Sequence, residues 1–267
     1  MVLGVGFGLS NTSRPPGGSR AATEPEVLEA IFAQPELALP AVTEAEADEG
    51  AMLVDRAVGT LVERVAHLSH PDALRYAFEA YFSYKAAHPE KVRKPYLYFV
   101  DYGLGNRTPR GYVFDMDALT IVDGPFTVAH GRGSSNGSDG VPARFSNRNG
   151  SAATSLGLYL AQETYAFRGT SDGRSYRSIG LRLRVLSGRF NGAARERGVV
   201  VHGAPYVTAE RAGRSEGCPA MEPERARRLI PEISNGGLVF LFSPSDAAWL
   251  REDPWFAGDG ARLAGRG

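Results

Sequence analysis

The sequence predicts a mostly β fold with a few helices and a small helical region at its N-terminal side, and three observations carry that reading. Apolar residues recur at helical spacing only before residue 90. From Pro95 onward they come in short β-rich runs broken by Gly, Asn, Pro and Asp, and one proline-led helical segment interrupts those runs after Met221.

Residues 1–24 read as a flexible leader, because Arg14-Pro15-Pro16-Gly17-Gly18-Ser19 has no face to bury. A helical N-terminal region follows over 25–94. Its first helix runs from Pro25 to about Gln34, proline being suited to a first helical turn. Its second, Ala51 to Leu68, places Leu53, Val54, Val58, Leu61, Val62 and Val65 at amphipathic spacing. The third, Asp72 to Ala87, carries Leu74, Tyr76, Ala77, Phe78, Tyr81 and Phe82 on a broad stripe that reads as core and ends near His88-Pro89.

The β region spans 95–244. Strands are expected at Tyr96–Tyr102, Gly111–Met116, Thr120–Val122, Phe126–Ala129, Ser155–Leu160, Ser178–Leu186, Gly198–His202 and Leu238–Phe242. Between them, the polar, glycine-rich stretch 131–151 is long for a plain connection and reads as a functional loop. A helix opens at Met221-Glu222-Pro223-Glu224, with acid and proline in the first turn as the helix dipole favours, and stops before Pro231. Residues 245–267 read as a loosely attached C-terminal tail.

Charge excludes some classes of partner. Thirty basic residues balance thirty acidic ones, and no block of like charge stands out, which argues against nucleic acid as a partner. No run reaches the roughly 18 apolar residues of a membrane helix, so no stable membrane insertion is expected. The apolar run Met1–Leu9 lacks a basic lead-in, which leaves a clipped export signal and an unstructured end both open.

The chain has a single cysteine, Cys218, sixteen positions (218 − 202) after His202 at the end of Val199-Val200-Val201. A lone thiol forms no internal disulfide and supplies no multi-cysteine zinc site, so its chemistry is nucleophilic, redox or a single metal bond. A free thiol titrates near 8.5 and needs a base or a favourable field to attack at neutral pH. His202 is the candidate base, and the helix expected from Met221 would place positive dipole near the sulfur. Gly217 permits an unusual backbone, so that N–H groups around it are candidates to hold an oxyanion. On spacing alone, a buried structural thiol beside a satisfied histidine stands level with this reading.

Three rival motifs are weaker. Gly133-Ser134-Ser135-Asn136-Gly137 matches a serine nucleophile elbow, but no helix is expected after it. Gly131 to Gly137 is one residue too long for a dinucleotide fingerprint. His67 and His70 lack a nearby third metal ligand, so no metal and no cofactor are expected.

The runs Gly198-Val199-Val200-Val201-His202-Gly203 and Gly213-Arg214-Ser215-Glu216-Gly217-Cys218-Pro219-Ala220 resemble the murein L,D-transpeptidase catalytic domain (YkuD-like), in the branch with proline after the cysteine. Phe126 to Gly131, Phe145-Ser146-Asn147, Thr154 to Tyr159 and Asn191 to Arg197 fall in the same order, and the similarity extends from about Asp72 to Pro244. The resemblance implies a β-sandwich or partly open barrel over 95–244. It makes Cys218 the nucleophile, His202 its general base and then acid, and Ser215 and Gly217 the scaffold of the acylation site. Arg214, His130, Tyr206 and Gly203 are the implied substrate-binding residues, beside which stand a surface salt bridge for Arg214, a core or turn role for His130 and simple packing for Tyr206. Two positions depart from the commoner pattern: Glu216 stands where His or Asn is usual, and Ala220 where an arginine is.

The implied activity is cell-wall acyl transfer in the envelope or periplasm. Cys218 would attack the carbonyl of the L-centred diamino acid in a peptidoglycan tetrapeptide stem, expel D-alanine and leave a thioester. An amine acceptor makes the reaction a transpeptidation and water makes it an L,D-carboxypeptidation, while a wall-binding domain without activity is the non-enzymatic alternative. Sequence leaves the acceptor and the oligomeric state open.

Overall fold

A computed structural model describes residues 44–135 and 140–256. The leader, the helix expected at 25–34, part of the glycine-rich loop and the end of the tail lie outside the described residues.

Helix α1 (Glu44–Leu61) begins earlier than the apolar spacing suggests and passes into a 3-10 turn, Val62–Arg64. The buried stripe is Val54, Ala57, Leu61 and Val65, whereas Met52 and Leu53 face outward. Helix α2 (Ala73–Ala87) matches its expected span and buries Leu74, Ala77, Phe78, Tyr81 and Tyr84. Phe78 meets Phe114 of the sheet edge-on, with ring centroids 5.5 Å apart.

The sheet is built from β1 (Tyr96–Asp101), β2 (Gly111–Asp115), β3 (Thr120–Phe126), β5 (Gly157–Ser171), β6 (Arg174–Val185), β7 (Val200–Gly203), β9 (Ala220–Met221) and β10 (Leu238–Phe242). Two short strands, β4 (His130–Gly131) and β8 (Arg214–Ser215), pair in parallel beside it. The order in the main sheet is β3-β2-β1-β10-β5-β6-β7-β9, parallel at β1/β10 and β7/β9 and antiparallel elsewhere. It does not close on itself, so the partly open, mostly β architecture holds. Strand β10 is buried along its whole length, as expected for a continuous apolar run sandwiched between layers.

The hairpin β5–β6 is far longer than expected. Residues 161–177 lie outside the expected strands, yet they continue both strands to a tight turn at Asp172-Gly173, both with positive φ. Asp-Gly is the pairing such a two-residue turn requires, and it was the signal for this hairpin.

Helix α3 (Pro223–Ile233) starts two residues after the expected Met221, which belongs to β9, and runs through Pro231 instead of stopping there. Ile230 and Ile233 are buried and anchor its last turn, and Lys94 Nζ donates to the Pro231 and Glu232 carbonyls at 2.9 and 2.8 Å. That cation satisfies last-turn carbonyls that the helix end leaves open and suits the negative end of the helix.

The chain after Ser245 is not loosely attached as far as Phe256. Helix α4 (Ala247–Glu252) forms there, and Trp249, Trp255 and Phe256 are fully buried in the same core as α1, α2 and the sheet. Trp255 Nε1 donates to the Leu186 carbonyl at 2.6 Å. Among the described residues no helix is long and apolar enough to cross a membrane.

Candidate active site

Two parallel pairings bring the site together. Strand β8 is held beside β4, and β9 beside β7 in the register His202↔Ala220, so the loop 216–219 crosses from the small sheet to the edge of the large one. Cys218 sits on that crossing, half-buried. Ser215 shapes it: its Oγ accepts from the Gly217 N–H at 3.1 Å and donates to the Cys218 carbonyl at 2.7 Å. Gly217 has φ +127°, and a Cβ there would lie 2.9 Å from the Ala153 carbonyl oxygen, so both conformation and space require glycine. Of the N–H groups in this turn expected as oxyanion donors, that of Gly217 is already used by Ser215.

The thiol lies against the start of β7, with Sγ 3.8 Å from the Gly198 carbonyl oxygen. Burial raises its pKa, opposed by the Val200 N–H and the Arg197 guanidinium, while the Glu216 charge adds to the rise. The helix dipole expected to aid the thiolate is displaced, since α3 begins five positions (223 − 218) later, beyond β9. Glu216 itself is exposed and paired with Arg132 at 2.7 Å.

His202 is only 3% exposed. Its Nδ1–H donates to its neighbour's carbonyl, Gly203 O, at 3.1 Å, which leaves Nε2 as the ring's basic nitrogen. Burial pushes its pKa down to about 4, against the raising effect of the Gly203 carbonyl. Thiol and imidazole are therefore both neutral near pH 7 rather than stored as an ion pair. Gly203 serves packing as well: a Cβ would meet Ala226 Cβ at 2.8 Å and Pro223 Cα at 3.0 Å, so its absence lets α3 start directly over β7.

The remaining expected residues divide. Tyr206 is half-buried, 6.5 Å from Tyr176 in an edge-on pair, and the Cys218 charge contributes to the upward shift that burial causes in its phenol. Arg214 is exposed at the rim and makes no ion pair among the described residues. His130 does not open onto the site. It is fully buried, with Nδ1 accepting from Arg110 Nη2 at 2.8 Å and Nε2 donating to Ser135 Oγ at 2.9 Å. Since an arginine only donates, that tautomer is fixed, and His130 has no lone pair with which to take a proton from Ser135. This removes the serine-elbow reading of Gly133–Gly137.

Two groups of residues at the site were missed in the sequence. Arg197 ties the loop behind Gly217 through Ser146 O (2.7 Å), Ser155 Oγ (2.6 Å), Ser151 Oγ (3.2 Å) and Ala153 O (2.6 Å), and its Nη2 would lie 3.3 Å from a Gly217 Cβ. It places positive charge near the thiol in a chain with alanine at 220. The hairpin supplies aromatics: Tyr165↔Gly180↔His202 are in register, and Phe167 stacks on the imidazole.

A cleft of about 580 Å³ is lined by residues that include Arg144, Phe145, Ser146, Arg148 and Ala153.

Solved L,D-transpeptidases are similar at low identity: one from Mycobacterium smegmatis (15% identity, 56% of this chain and 59% of that one, TM-score 0.34) and one from Stackebrandtia nassauensis (14%, 65% and 69%, 0.36). L,D-transpeptidase 3 from Mycobacterium tuberculosis, in complex with a faropenem-derived adduct, is a third (19%, 55% and 60%, 0.31). The chain thus spans 59% of the length of the Mycobacterium smegmatis structure. No curated protein matches the sequence significantly. The L,D-transpeptidase catalytic domain profile matches residues 66–242, which is more than half of the 267 residues, and the chain belongs to that family.

Proposed function

We propose that the chain is a cysteine-dependent peptidoglycan L,D-transpeptidase, acting in the cell envelope on tetrapeptide stems. The observation that carries this is the juxtaposition of β7 and the 215–218 turn. A thiol on a Ser215-braced, glycine-dependent loop lies beside a strand bearing a neutral histidine whose basic nitrogen makes no hydrogen bond among the described residues.

In the first half-reaction the Cys218 sulfur adds to the carbonyl carbon of the L-centred diamino acid as its proton passes to His202 Nε2. The Cys218 N–H makes no hydrogen bond among the described residues, which leaves it available as a donor for the oxyanion. Collapse breaks the C–N bond to D-alanine, whose amine takes the proton from His202, and a thioester remains. In the second half-reaction an acceptor amine loses a proton to His202, attacks the thioester carbon and releases the thiol. Transfer to an amine over hydrolysis is supported by the aromatic cover on His202, which limits water at the base. Tyr206 and Arg214 line the approach to the thiol, and Gly203 and Ser215 position the reacting groups.

Incubation of the purified chain with muropeptides, read by mass spectrometry, tests the reading. Loss of D-alanine from tetrapeptide stems with formation of cross-linked dimers is expected. Tripeptide alone would make the activity a carboxypeptidation, and unchanged muropeptides would contradict the assignment.

A further inference from the structure

Phe167 lies on β5, thirty-five positions (202 − 167) before His202, yet its ring sits 4.1 Å from the imidazole centroid and 14° from parallel. That is the closest ring pair among the described residues, and it is not ordinary core packing, because Phe167 belongs to neither hydrophobic cluster of the protein. The hairpin face around it is built to make room. Residues in register across the strands share a face, and opposite Phe167 stands Ser178, while Gly169 and Gly180 flank the pair. Tyr176 and Tyr165 lie over those glycines, and a Cβ at either would be 2.5–2.6 Å from a tyrosine ring. One ring is thus left free to cover the histidine.

We propose that Phe167 is a positioning residue for His202: stacked on one face of the imidazole, it fixes the ring plane and keeps that face dry, so that Nε2 is open only along its edge, toward the thiol loop. The terminal torsion of a histidine is otherwise broad and nearly two-fold. The Gly203 carbonyl pins the Nδ1 edge, and Phe167 restricts the rotation that this single hydrogen bond leaves open. The groups sharing the histidine's face by register are Tyr165 and Phe167 on β5, Ser178, Gly180 and Arg182 on β6 and Ala220 on β9, with Cys218 on the adjoining loop; Arg182 lies over the Tyr165 ring and is paired with Glu163. Burial and the Gly203 carbonyl alone shift the imidazole, with no carboxylate or guanidinium contributing, so its basicity depends on what covers it. An acceptor amine meets the base edge-on, past Tyr165 and Tyr176, whose phenols both feel the Cys218 charge. The proposal rests on His202 being the base.

The test uses the full chain with Phe167→Ala and Phe167→Tyr. The His202 ring is titrated by NMR, its signal identified by its loss in His202→Gln, and Cys218 acylation by a carbapenem is timed across pH. In Phe167→Ala the titration midpoint is expected to move from about 4 toward 6.5 by about one unit or more as water reaches the ring. Acylation is expected to slow roughly tenfold to a hundredfold. Phe167→Tyr, which keeps the ring, restores both, as a general loss of folding would not. An unchanged midpoint in Phe167→Ala overturns the proposal whatever the rate does. A moved midpoint with wild-type acylation at every pH overturns instead the assignment of His202 as the base.

Discussion

Cys218 and His202 each have a pKa displaced toward the neutral form, the thiol upward and the imidazole down to about 4, with burial as the largest cause in both. A resting thiolate–imidazolium pair is therefore absent at pH 7, and in the proposed mechanism the proton moves as the sulfur attacks. His202→Gln keeps much of the ring's volume and removes the base, so acylation of Cys218 is expected to slow on the order of a hundredfold or more. Stopped-flow acylation checks this, and a rate within a factor of about two of wild type would make His202 structural. These two residues stand out as candidates in the sequence because a unique cysteine and a strand-terminal histidine are local signals. The burial of His130 was not legible, since strand-end position and a following glycine are the same for a solvent-facing histidine and for one locked between Arg110 and Ser135. Arg197 was missed for a related reason: its four partners lie between 146 and 155, about fifty positions away in the chain.

At the level of elements, the site depends on close approach. Helix α3 starts over Gly203, where an added methyl would meet Ser178 Oγ at 2.6 Å, Ala226 Cβ at 2.8 Å and Pro223 Cα at 3.0 Å. Backbone on one side and a helix on the other leave little room to yield, so Gly203→Ala is expected to cost about 1–3 kcal/mol in urea unfolding. A variant as stable as wild type would show that α3 does not bear on β7 in this way. The strands that are apolar throughout, such as Leu238–Phe242, were legible to the residue because burial on both faces leaves an uninterrupted run. The outer half of β5–β6 was not, because one face is solvated and the other is aromatic only at Tyr165, Phe167 and Tyr176. Alternation that sparse is hidden among Thr, Ser and Arg unless the Asp172-Gly173 turn is given priority.

Across the whole molecule, one core joins α1, α2, the sheet and the segment up to Phe256, so the expected boundaries at 94/95 and 244/245 do not separate packing units. Two tryptophans and a phenylalanine within residues 249–256 outweighed the charged, glycine-rich composition around them. Asp253 locks this segment by accepting from Trp249 Nε1 at 2.8 Å and Trp255 N at 3.0 Å, and burial raises its pKa to about 6 despite those donors and Ser187. A carboxyl raised above its ordinary 3.8 binds its proton more tightly in the folded state, so acidification from 6 to 3.8 favours the fold. His202 and His130, held at about 4 and about 3, refuse a proton that the unfolded chain accepts below 6.5, so the same acidification disfavours it. Asp253→Asn removes only the first effect. Its stability is expected to fall more steeply than that of wild type between pH 7 and 4, by about 2–3 kcal/mol. Parallel stability curves from urea titrations at each pH would contradict the shift at Asp253.

The most direct measurement for the proposed chemistry is intact mass of the full chain, quenched during turnover with a tetrapeptide-stem muropeptide, beside Cys218→Ala. Wild type is expected to carry one acyl adduct, equal to the stem less D-alanine and mapped by proteolysis to Cys218, while Cys218→Ala remains folded and carries none. D-alanine release at wild-type rate by Cys218→Ala, or an adduct mapping to another residue, would contradict it.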